Sequence, residues 1–387
     1  MERSSRWQDW RWQLRHRIRT LADLERHFQL VPEEREALTA APGRFPVAIT
    51  PYYAALMDPE DPRDPLRRTL VPLPDEGRVL PGETEDPLQE ERDRVVPGLI
   101  HRYPDRVALL AIDRCATYCR YCTRSRLFGG RMGTRHWQEA IDYIAAHPGI
   151  RDVLITGGDP LLLGTGRLAS LLERLRAIPH VALLRIGSKI PMVLPMRITK
   201  KLVRTLRRFH PLVVSLHVTH PRELTPEVER ALARLMDAGI MLGSQTVLLR
   251  GINDDPDTLR ALMQGLLQNR VRPYYLYQCD PIVGTGHFRT PVAVGRSLID
   301  GLRGHVSGYA VPTLVIDAPG GGGKIPIVPD GIVGRKGDRW LLRNHQGRFF
   351  HYPDDTAPES DRSAGAFESR VDIFLAEKQD LTQDGPK

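Results

Sequence analysis

The stretch that decides the fold runs from residue 106 to residue 124 and reads RVALLAIDRCATYCRYCTR. Its first eight residues are mostly apolar and strand-like, and the loop that follows carries Cys115, Cys119 and Cys122 at the spacing C-x3-C-x2-C. Iron–sulfur cubes normally take four cysteine thiolates, but the only other cysteine, Cys279, is remote in sequence. The triplet therefore predicts a [4Fe-4S] cluster held at three corners, with the fourth iron open to a substrate or cofactor. Two other interpretations stay open: a structural zinc site with a fourth ligand nearby, and buried cysteines without a ligand.

Beyond this stretch the sequence alternates apolar runs with helical patterns, which is typical of βα units around a parallel sheet. Strands are predicted at 106–113, 152–156, 181–187, 212–218, 242–249, 272–279 and 311–317, and helices at 136–147, 167–178, 198–209, 225–238, 255–270 and 291–304. Six βα repeats and a last strand predict an α/β fold, an incomplete (β/α)6 TIM-like barrel. Active sites of such barrels lie at the carboxyl ends of the strands. The chemically suggestive residues fall there: the cysteine loop, Gly157 to Asp159, Ser188, His217, Asp280 and Asp317.

The barrel is flanked by two segments with different patterns. Residues 7 to about 28 predict one amphipathic helix, and the Pro- and Asp-rich stretch 58–97 predicts only loops and short turns. We therefore expect an N-terminal helical arm over 1–100, outside the catalytic core, and the barrel over 101–330. A small C-terminal region over 331–387 follows, with a hairpin at 339–352 and a polar tail.

Composition excludes several classes of protein. The chain has 387 residues, 41% of them hydrophobic, which is enough for a packed core. Four cysteines, three of them clustered, do not make a disulfide framework, and a liganded thiolate cluster belongs in a reducing compartment. The first residues lack the apolar core of a signal peptide, and no run is long enough to cross a bilayer. We expect a cytoplasmic protein with no membrane contact. The net charge is +8, but Arg and Lys are spread among acids, so no nucleic-acid partner is predicted.

A second motif, DAPGGGGKIP at residues 317–326, brings one lysine next to a strand through four glycines. Glycines let a backbone adopt conformations closed to other residues and pass close to a ligand. The run is not a Walker A loop, because Ile325 stands where Ser or Thr is required. A lysine presented in this way can form a Schiff base, with pyridoxal 5′-phosphate (PLP) as one partner. A flexible surface loop with a solvated lysine is the alternative.

Taken together, the motifs resemble a known family. The cysteine spacing resembles the signature of the radical S-adenosylmethionine (SAM) superfamily, in which SAM chelates the fourth iron and one electron cleaves it to a deoxyadenosyl radical. With the lysine loop and much of the intervening sequence, residues 7–352 look like the lysine 2,3-aminomutase family, which also uses PLP. Other matching runs are WQDWRW at 7–12, ITPYY at 49–53, VPGL at 96–99, HRYPDR at 101–106, VLLRG at 247–251, RPYY at 272–275 and HFRTP at 287–291.

The resemblance implies roles for individual residues. Lys324 would bind PLP covalently, and Arg102 and Arg106 would lie near its phosphate, which suits guanidinium forks. The alternative for either arginine is a surface ion pair. Tyr121 would form an aromatic wall for adenine, or be a core tyrosine. The positions that resemble SAM-binding surfaces are Gly157, Gly158, Asp159, Ser188, His217 and Gln245. For the last two, a satisfied hydrogen bond in the core is nearly as good an interpretation.

Three charged residues are implied to set the substrate. Arg124 matches the family arginine that grips the substrate α-carboxylate, and Asp280 and Asp317 match the carboxylates that receive a distal ammonium. Two carboxylates brought together need a cation between them, because otherwise one must take up a proton. A long cationic amino acid fits, which favours lysine and leaves arginine open. Helix caps or strand-end turns are the alternative for either aspartate.

By this resemblance the enzyme is an isomerase that moves the 2-amino group of free L-lysine to carbon 3, giving β-lysine. It would need the cluster, SAM, PLP and an external one-electron reductant. A lysine side chain of a partner protein is a rival substrate, and an iron–sulfur protein that binds RNA or transfers electrons is an alternative of another class. The tail 354–387 has no cysteine, so we predict no structural zinc. We expect a homo-oligomer that uses the N-terminal arm.

Overall fold

The computed structural model describes residues 6–40, 46–128, 134–327, 331–336 and 339–353. The chain divides into two compact units, 1–327 and 328–387. The N-terminal segment to residue 100 lies in the first unit together with the barrel strands.

The first unit is built on one ten-stranded sheet, in which each strand pairs with its neighbours in sequence. The strands are β1 (Arg94–Val96), β2 (Leu99–Tyr103), β3 (Arg106–Ile112), β4 (Asp152–Gly157), β5 (Leu183–Ser188), β6 (Leu212–His217), β7 (Met241–Leu248), β8 (Arg272–Gln278), β9 (Thr313–Ala318) and β10 (Gly323–Pro326). Neighbours from β3 to β9 pair in parallel, while β1, β2 and β10 add antiparallel edges. The seven parallel strands are the seven predicted ones, so the open α/β barrel is confirmed.

Among the described residues, five α-helices precede β3 and seven lie between the parallel strands from β3 to β9. They are α1 (Trp10–Arg15), α2 (Leu21–Glu25), α3 (Pro32–Ala40), α4 (Pro51–Ala54), α5 (Pro65–Arg68), α6 (Thr134–Ala146), α7 (Thr165–Arg176), α8 (Ile190–Val193), α9 (Lys200–Leu206), α10 (Pro226–Asp237), α11 (Pro256–Gln268) and α12 (Val292–Leu302). The six predicted helices correspond to α6, α7 and α9 to α12. In the part of the chain that the structure describes, no helix combines the length and apolar character that a membrane span requires.

Local sequence explains where these helices begin and which face they bury. Thr225 and Asp255 are N-caps whose side chains accept backbone N–H groups of α10 and α11, and Pro226 and Pro256 occupy the first helical positions. On α7 the buried side chains are Leu168, Leu171, Leu172 and Leu175. Their i, i+3, i+4, i+7 spacing forms one apolar stripe against the sheet. Each such leucine contributes roughly 1.5–3 kcal/mol through burial.

The single N-terminal helix predicted over 7–28 is wrong. The chain forms two short helices, α1 and α2, and between them Ile18 pairs with Ile49 through N–H···O contacts of 2.9 and 3.0 Å. The break has a local cause: Thr20 and Asp23 form a capping box, which starts a new helix at Leu21. Apolar spacing alone did not reveal this internal start signal.

The Pro- and Asp-rich stretch 58–97 contains more structure than the predicted loops. It holds α5, a 3₁₀ turn at Pro74–Gly77 and the edge strand β1. A buried ion pair fixes the N-terminal segment to α5: Arg67 donates to Glu34 from Nε at 2.9 Å and from Nη2 at 2.5 Å, and both side chains are almost fully buried.

The second unit contains a small antiparallel sheet of β11 (Ile332–Lys336), β12 (Arg339–Arg343) and β13 (Phe349–Pro353). The predicted hairpin at 339–352 corresponds to β12 and β13, and β11 was missed. The tail 354–387, on which the prediction of no structural zinc rests, lies outside the described residues.

Candidate active site

The cysteine loop leaves the carboxyl end of β3 and is held by the N-terminal segment. Arg17 Nη1 donates to the Cys115 carbonyl at 2.8 Å, and the amides of Tyr118 and Arg120 donate to backbone carbonyls of Ala48 and Thr69. This segment, expected to lie outside the catalytic core, therefore shapes the loop that carries the three cysteines.

The thiols of Cys115, Cys119 and Cys122 lie close enough to affect one another. Burial raises the pKa of each, and Cys119 raises the pKa of Cys115 and Cys122 further, the latter to about 12. Three half-buried thiols facing one space can be ionised together only beside a cationic centre. Among the described residues, no three His, Cys, Asp or Glu side chains are arranged to hold a single metal ion. Three thiols on one loop are the donor set of an iron–sulfur cluster.

The loop after β4 closes against the cysteine loop without space for side chains. Gly157 has φ +114°, and a Cβ there would collide with the Ile112 carbonyl. A Cβ on Gly158 would collide with the Arg114 carbonyl. The Gly158 amide donates to the Ile112 carbonyl at 2.5 Å and the Asp159 amide to the Arg114 carbonyl at 2.9 Å. The two glycines are thus required for this backbone contact.

Asp159 and Ser188, both predicted to line a SAM surface, are bonded to each other. Ser188 Oγ donates to the Asp159 carboxylate at 2.7 Å, and the amides of Leu161, Lys189 and Ile190 donate to it as well. Burial raises the Asp159 pKa to about 6, although these bonds oppose the shift. The pair ties the loop after β4 to the end of β5, so both side chains position the site through the backbone.

His217 and Gln245 are register partners on β6 and β7, so their side chains project from the same face of the sheet. A Cβ at Gly187 on β5 would lie 3.8 Å from His217 Nε2, which places His217 over a gap left by that glycine. Burial, with help from Lys189 and Arg124, lowers the His217 pKa to about 4. The imidazole is therefore neutral at pH 7. Tyr121 is buried with its ring edge-on to Phe288 at 6.2 Å.

Arg124 connects the two halves of the site. Its Nη2 donates to Glu90 at 2.7 Å and its Nη1 donates to Thr156 Oγ1 at 3.1 Å. Burial lowers its pKa, but Glu90, then Cys122 and Asp317, raise it more, so the net shift is upward. Arg124 therefore interacts electrostatically with Cys122 of the cysteine loop and with Asp317, the partner of Lys324.

Glu90 was not among the residues predicted for the site. It lies between β1 and the 3₁₀ turn of the N-terminal segment, within an acid-rich run, ETEDPLQEERD at 83–93, that does not single it out. Glu90 is only 6% exposed and also accepts from Arg126 at 3.1 Å. Burial alone would raise its pKa, but Arg124 and Arg126 outweigh it and the pKa is lowered. The acid is therefore ionised and fixes both arginines.

The glycine-rich turn presents Lys324 at the other edge of the sheet. Gly320, Gly321 and Gly323 all have positive φ, and a Cβ on Gly323 would approach the Tyr103 hydroxyl to 2.8 Å. That hydroxyl accepts the Lys324 amide at 3.0 Å. Contacts of this kind bring β10 against residues of β2, which belongs to the opposite edge of the open barrel.

The Lys324 side chain meets a cluster of charges and aromatic rings. Its Nζ donates to Asp317 Oδ2 at 2.8 Å and lies 5.8 Å from the Tyr277 ring centroid. Asp317 Oδ1 is buried and has no hydrogen-bond partner among the described residues, and Arg102 Nη1 lies 3.9 Å from it. A buried carboxylate oxygen without a donor is a site for a cation.

The remaining predicted residues surround this pair. Burial and then Asp317 raise the Asp280 pKa to about 7, and Lys324 opposes the shift. Arg102 is bound by Asp93 at 2.6 Å and by the Leu88 carbonyl. Arg106 pairs with the neighbouring Asp105 and stacks on Tyr103, 3.9 Å from the ring centroid. The structure thus brings Asp317 directly to Lys324 and Arg102 close to Asp317, and Asp280 interacts electrostatically with both Asp317 and Lys324. Arg106 is connected to Lys324 through Tyr103.

Comparison with known proteins agrees with this arrangement. Residues 109–262 match the family model of the radical SAM superfamily, and residues 299–384 match that of lysine-2,3-aminomutase. The chain is 49% identical to the L-lysine 2,3-aminomutase of Acetoanaerobium sticklandii, over 90% of this chain and 85% of that protein. It is 48% identical to the L-lysine 2,3-aminomutase of Clostridium subterminale, over 90% and 84%. It is 39% identical to the glutamate 2,3-aminomutase of Clostridioides difficile, over 91% and 84%. The chain therefore belongs to the lysine 2,3-aminomutase family of radical SAM isomerases.

Proposed function

We propose that this protein converts free L-lysine to β-lysine by moving the 2-amino group to carbon 3, with a [4Fe-4S] cluster, SAM and PLP as cofactors. The observation that carries the proposal is the position of Arg124, which follows Cys122 by two residues and donates from Nη1 to Thr156 near the carboxyl end of β4 at 3.1 Å. Asp317, which accepts from Lys324 at 2.8 Å, lies at the same end of β9. One amino acid bound to Arg124 can therefore reach both parts of the site. The names of the similar proteins support the same reaction.

The donor chemistry of the site fits the three cofactors. Cys115, Cys119 and Cys122 would hold three corners of the cluster. Lys324 would offer a primary amine to the PLP aldehyde, and Arg102 and Arg106 would supply guanidinium groups to its phosphate. Bound together, the cofactors supply a radical able to remove a hydrogen atom and a carbonyl group able to hold the migrating nitrogen. What the protein itself contributes is position and charge.

Charge selects the substrate. Arg124 would bind the α-carboxylate through a charge-assisted pair. Asp280 and Asp317 would bind a distal cation, and Asp317 Oδ1 already lacks a donor. Lys324 Nζ now neutralises Asp317 Oδ2 at 2.8 Å. If Lys324 held PLP, Asp317 and Asp280 would be the carboxylates left to accept the substrate ammonium. The two acids oppose a substrate with a carboxylate side chain, so glutamate is disfavoured.

Anaerobic reconstitution with iron and sulfide, followed by SAM, PLP and dithionite, tests the proposal. We expect β-lysine from free lysine by mass spectrometry, and little or no product from glutamate. If arginine or a lysine-containing peptide is turned over faster than free lysine, that compound and not free lysine is the substrate. Absence of any amino-group migration in a preparation with full iron and PLP content would refute the proposal.

A pair of variants tests the role of Asp280. Asp280→Asn keeps the shape of the side chain and removes its charge, so lysine turnover should fall at least tenfold while PLP absorbance is retained. Asp300→Asn changes an exposed aspartate on α12 in the same way and should have no effect. Equal activity of the two variants would contradict the ammonium assignment.

We also propose a cytoplasmic location, because a cluster with an open iron requires reduced thiolates. Assembly into a homo-oligomer through the N-terminal segment is a separate proposal. Gel filtration with light scattering of the full chain, compared with a chain that begins at residue 6, would test it.

A further inference from the structure

An arginine-lined cavity of about 320 Å³ lies beside the cysteine loop. Its walls come from α1 and the residues after it, from the cysteine loop and from the segment that leads into α7. Arg17, Arg114 and Arg167 line it, together with Tyr118. Among the described residues that form its walls there is no carboxylate. The catalytic arrangement described above does not use this cavity.

The cavity adjoins the backbone of a predicted cluster ligand. Arg17 Nη1 donates to the Cys115 carbonyl at 2.8 Å and lies 3.5 Å from the Ala116 carbonyl. Cys115 itself is only half-buried. Lys324, Asp317 and Arg124 are not among the residues that line the cavity. The arginine-lined surface is therefore a route to the cluster that does not pass through the substrate site.

Positive charge accumulates on this surface. The Arg114 side chain is 78% exposed, and its nearest acid is the buried Asp113 at 4.0 Å. Arg19 and Arg167 are exposed, and neither guanidinium forms an ion pair with an acid of the described ranges. Arg17 lies among these charges, because Arg19 follows it by two residues and Arg114 and Arg167 line the same cavity. These arginines outnumber Asp113, the acid that pairs with Arg114, and the excess of positive charge creates a field that attracts anions.

We infer that Arg19, Arg114 and Arg167 form the docking surface for an acidic one-electron carrier protein, which reduces the cluster through the Cys115 side of the loop. The inference rests on the proposed function, because that reaction needs one electron from outside. In the transfer the carrier loses one electron and the oxidised cluster gains it, with no bond made or broken in this protein.

The size and composition of the surface favour a small protein partner over a nucleic acid. Complexes between redox proteins bury little area and associate through complementary charge. Here Arg17, Arg114 and Arg167 line one small cavity beside Cys115, and no acid among the described residues lines it with them. A nucleic-acid site would need a longer basic stripe with aromatic side chains for stacking, and Tyr118 is the aromatic residue that lines the cavity.

The test compares two triple variants of the reconstituted full chain. The first is Arg19→Ser, Arg114→Ser, Arg167→Ser, which leaves Arg17 and its bond to the Cys115 carbonyl intact. The control is Lys201→Ser, Arg204→Ser, Arg207→Ser, which removes three exposed charges near the chain that enters the amino end of β6. The amino ends of the strands lie away from the cysteine loop, so both variants change the net charge equally and only one changes the proposed surface.

Two measurements are made with flavodoxin as the acidic carrier. Calorimetry gives the Kd at low and high salt, and stopped-flow absorbance follows the bleaching of the cluster by photoreduced flavodoxin or by dithionite. For the first variant we expect the Kd to rise at least tenfold and the rate of bleaching by flavodoxin to fall at least tenfold. Both quantities should also depend less on salt. Dithionite-driven bleaching should be unchanged, as should all values for the control.

The outcomes separate this inference from the proposed function. Cluster reduction needs no lysine turnover, so the flavodoxin result stands even if lysine is not the substrate. Equal flavodoxin-driven rates for the two triple variants would overturn the docking surface. Loss of RNA binding by the first variant, with unchanged reduction by flavodoxin, would assign the surface to a nucleic acid and also overturn it. If dithionite also bleaches the cluster of the first variant more slowly, the substitutions have damaged the cysteine loop, and this result contradicts the inference.

Discussion

Arg124 and Glu90 form a side-on ion pair inside the first unit. Arg124 donates to Glu90 from Nη2 at 2.7 Å and from Nε at 3.1 Å, while Nη1 donates to Thr156. Nη1 and Nη2 each keep a second N–H group, which can donate to a further anion. Glu90 therefore fixes the orientation of the arginine proposed to bind the substrate carboxylate.

This pair gives the first prediction. In Glu90→Gln the anionic partner is lost but the shape is kept, so Arg124 is oriented less firmly. Hydrogen bonds to charged groups contribute about 1.5–3 kcal/mol, so we expect KM for lysine to rise at least tenfold, with a smaller change in kcat. Steady-state kinetics measures both. The control is Glu91→Gln, which changes the half-exposed neighbour. An unchanged KM in Glu90→Gln would show that Glu90 does not contribute to substrate binding.

The relation between Glu90 and Arg124 also shows what sequence could predict. The parallel strands were found because buried strands are continuous apolar runs, and their polar carboxyl ends marked the site. Lys324 was predicted from the glycine-rich turn that presents it, and Asp317 from its position at the end of a predicted strand and from the family resemblance. Glu90 comes from a distant acid-rich segment, and only the folded chain selects it from its acidic neighbours.

The second prediction concerns pH. Burial and Asp317 raise the Asp280 pKa to about 7 in the ligand-free protein. The neutral form is therefore favoured below this pH, and a bound substrate ammonium favours the ionised form. Lysine binding should release close to one proton at about pH 6 and almost none at about pH 9, so affinity should rise with pH and level off above about 7.

Calorimetric titration in two buffers with different ionisation heats measures this proton release. Asp280→Asn should abolish it. By the same linkage, Asp280 stabilises the free fold most at low pH, and that contribution is lost as pH rises through about 7. Proton uptake on binding, in place of release, would contradict the assignment of Asp280 as the group that titrates.

The third prediction concerns stability of the N-terminal segment. Arg67 is fully buried and is satisfied by Glu34, by the Pro59 carbonyl at 3.0 Å and by the Gln29 carbonyl at 2.9 Å. Glu34→Leu leaves a buried cation without its partner, which should cost about 3–5 kcal/mol of unfolding free energy. Urea unfolding followed by tryptophan fluorescence measures it.

The double variant Glu34→Leu, Arg67→Met tests the cause of this loss. It removes the uncompensated charge and should recover part of the stability, although two carbonyls lose their donor. If the double variant is less stable than the single one, the loss comes from packing and not from an unpaired charge.

The last prediction concerns the contact between the loops after β3 and β4. A methyl group at Gly158 would collide with the Arg114 carbonyl, which belongs to rigid backbone and cannot rotate away. Gly158→Ala must therefore separate the two loops and move Cys115 relative to Cys119 and Cys122. We expect iron content after reconstitution to fall by more than half, with little change in circular dichroism, because the strands themselves are untouched. Gly164→Ala is the matched control, since no atom lies within 4 Å of the added Cβ and its φ is negative. Full iron loading of Gly158→Ala would show that the cysteine loop tolerates the displacement, and that its contact with Gly158 is not needed to assemble the cluster site.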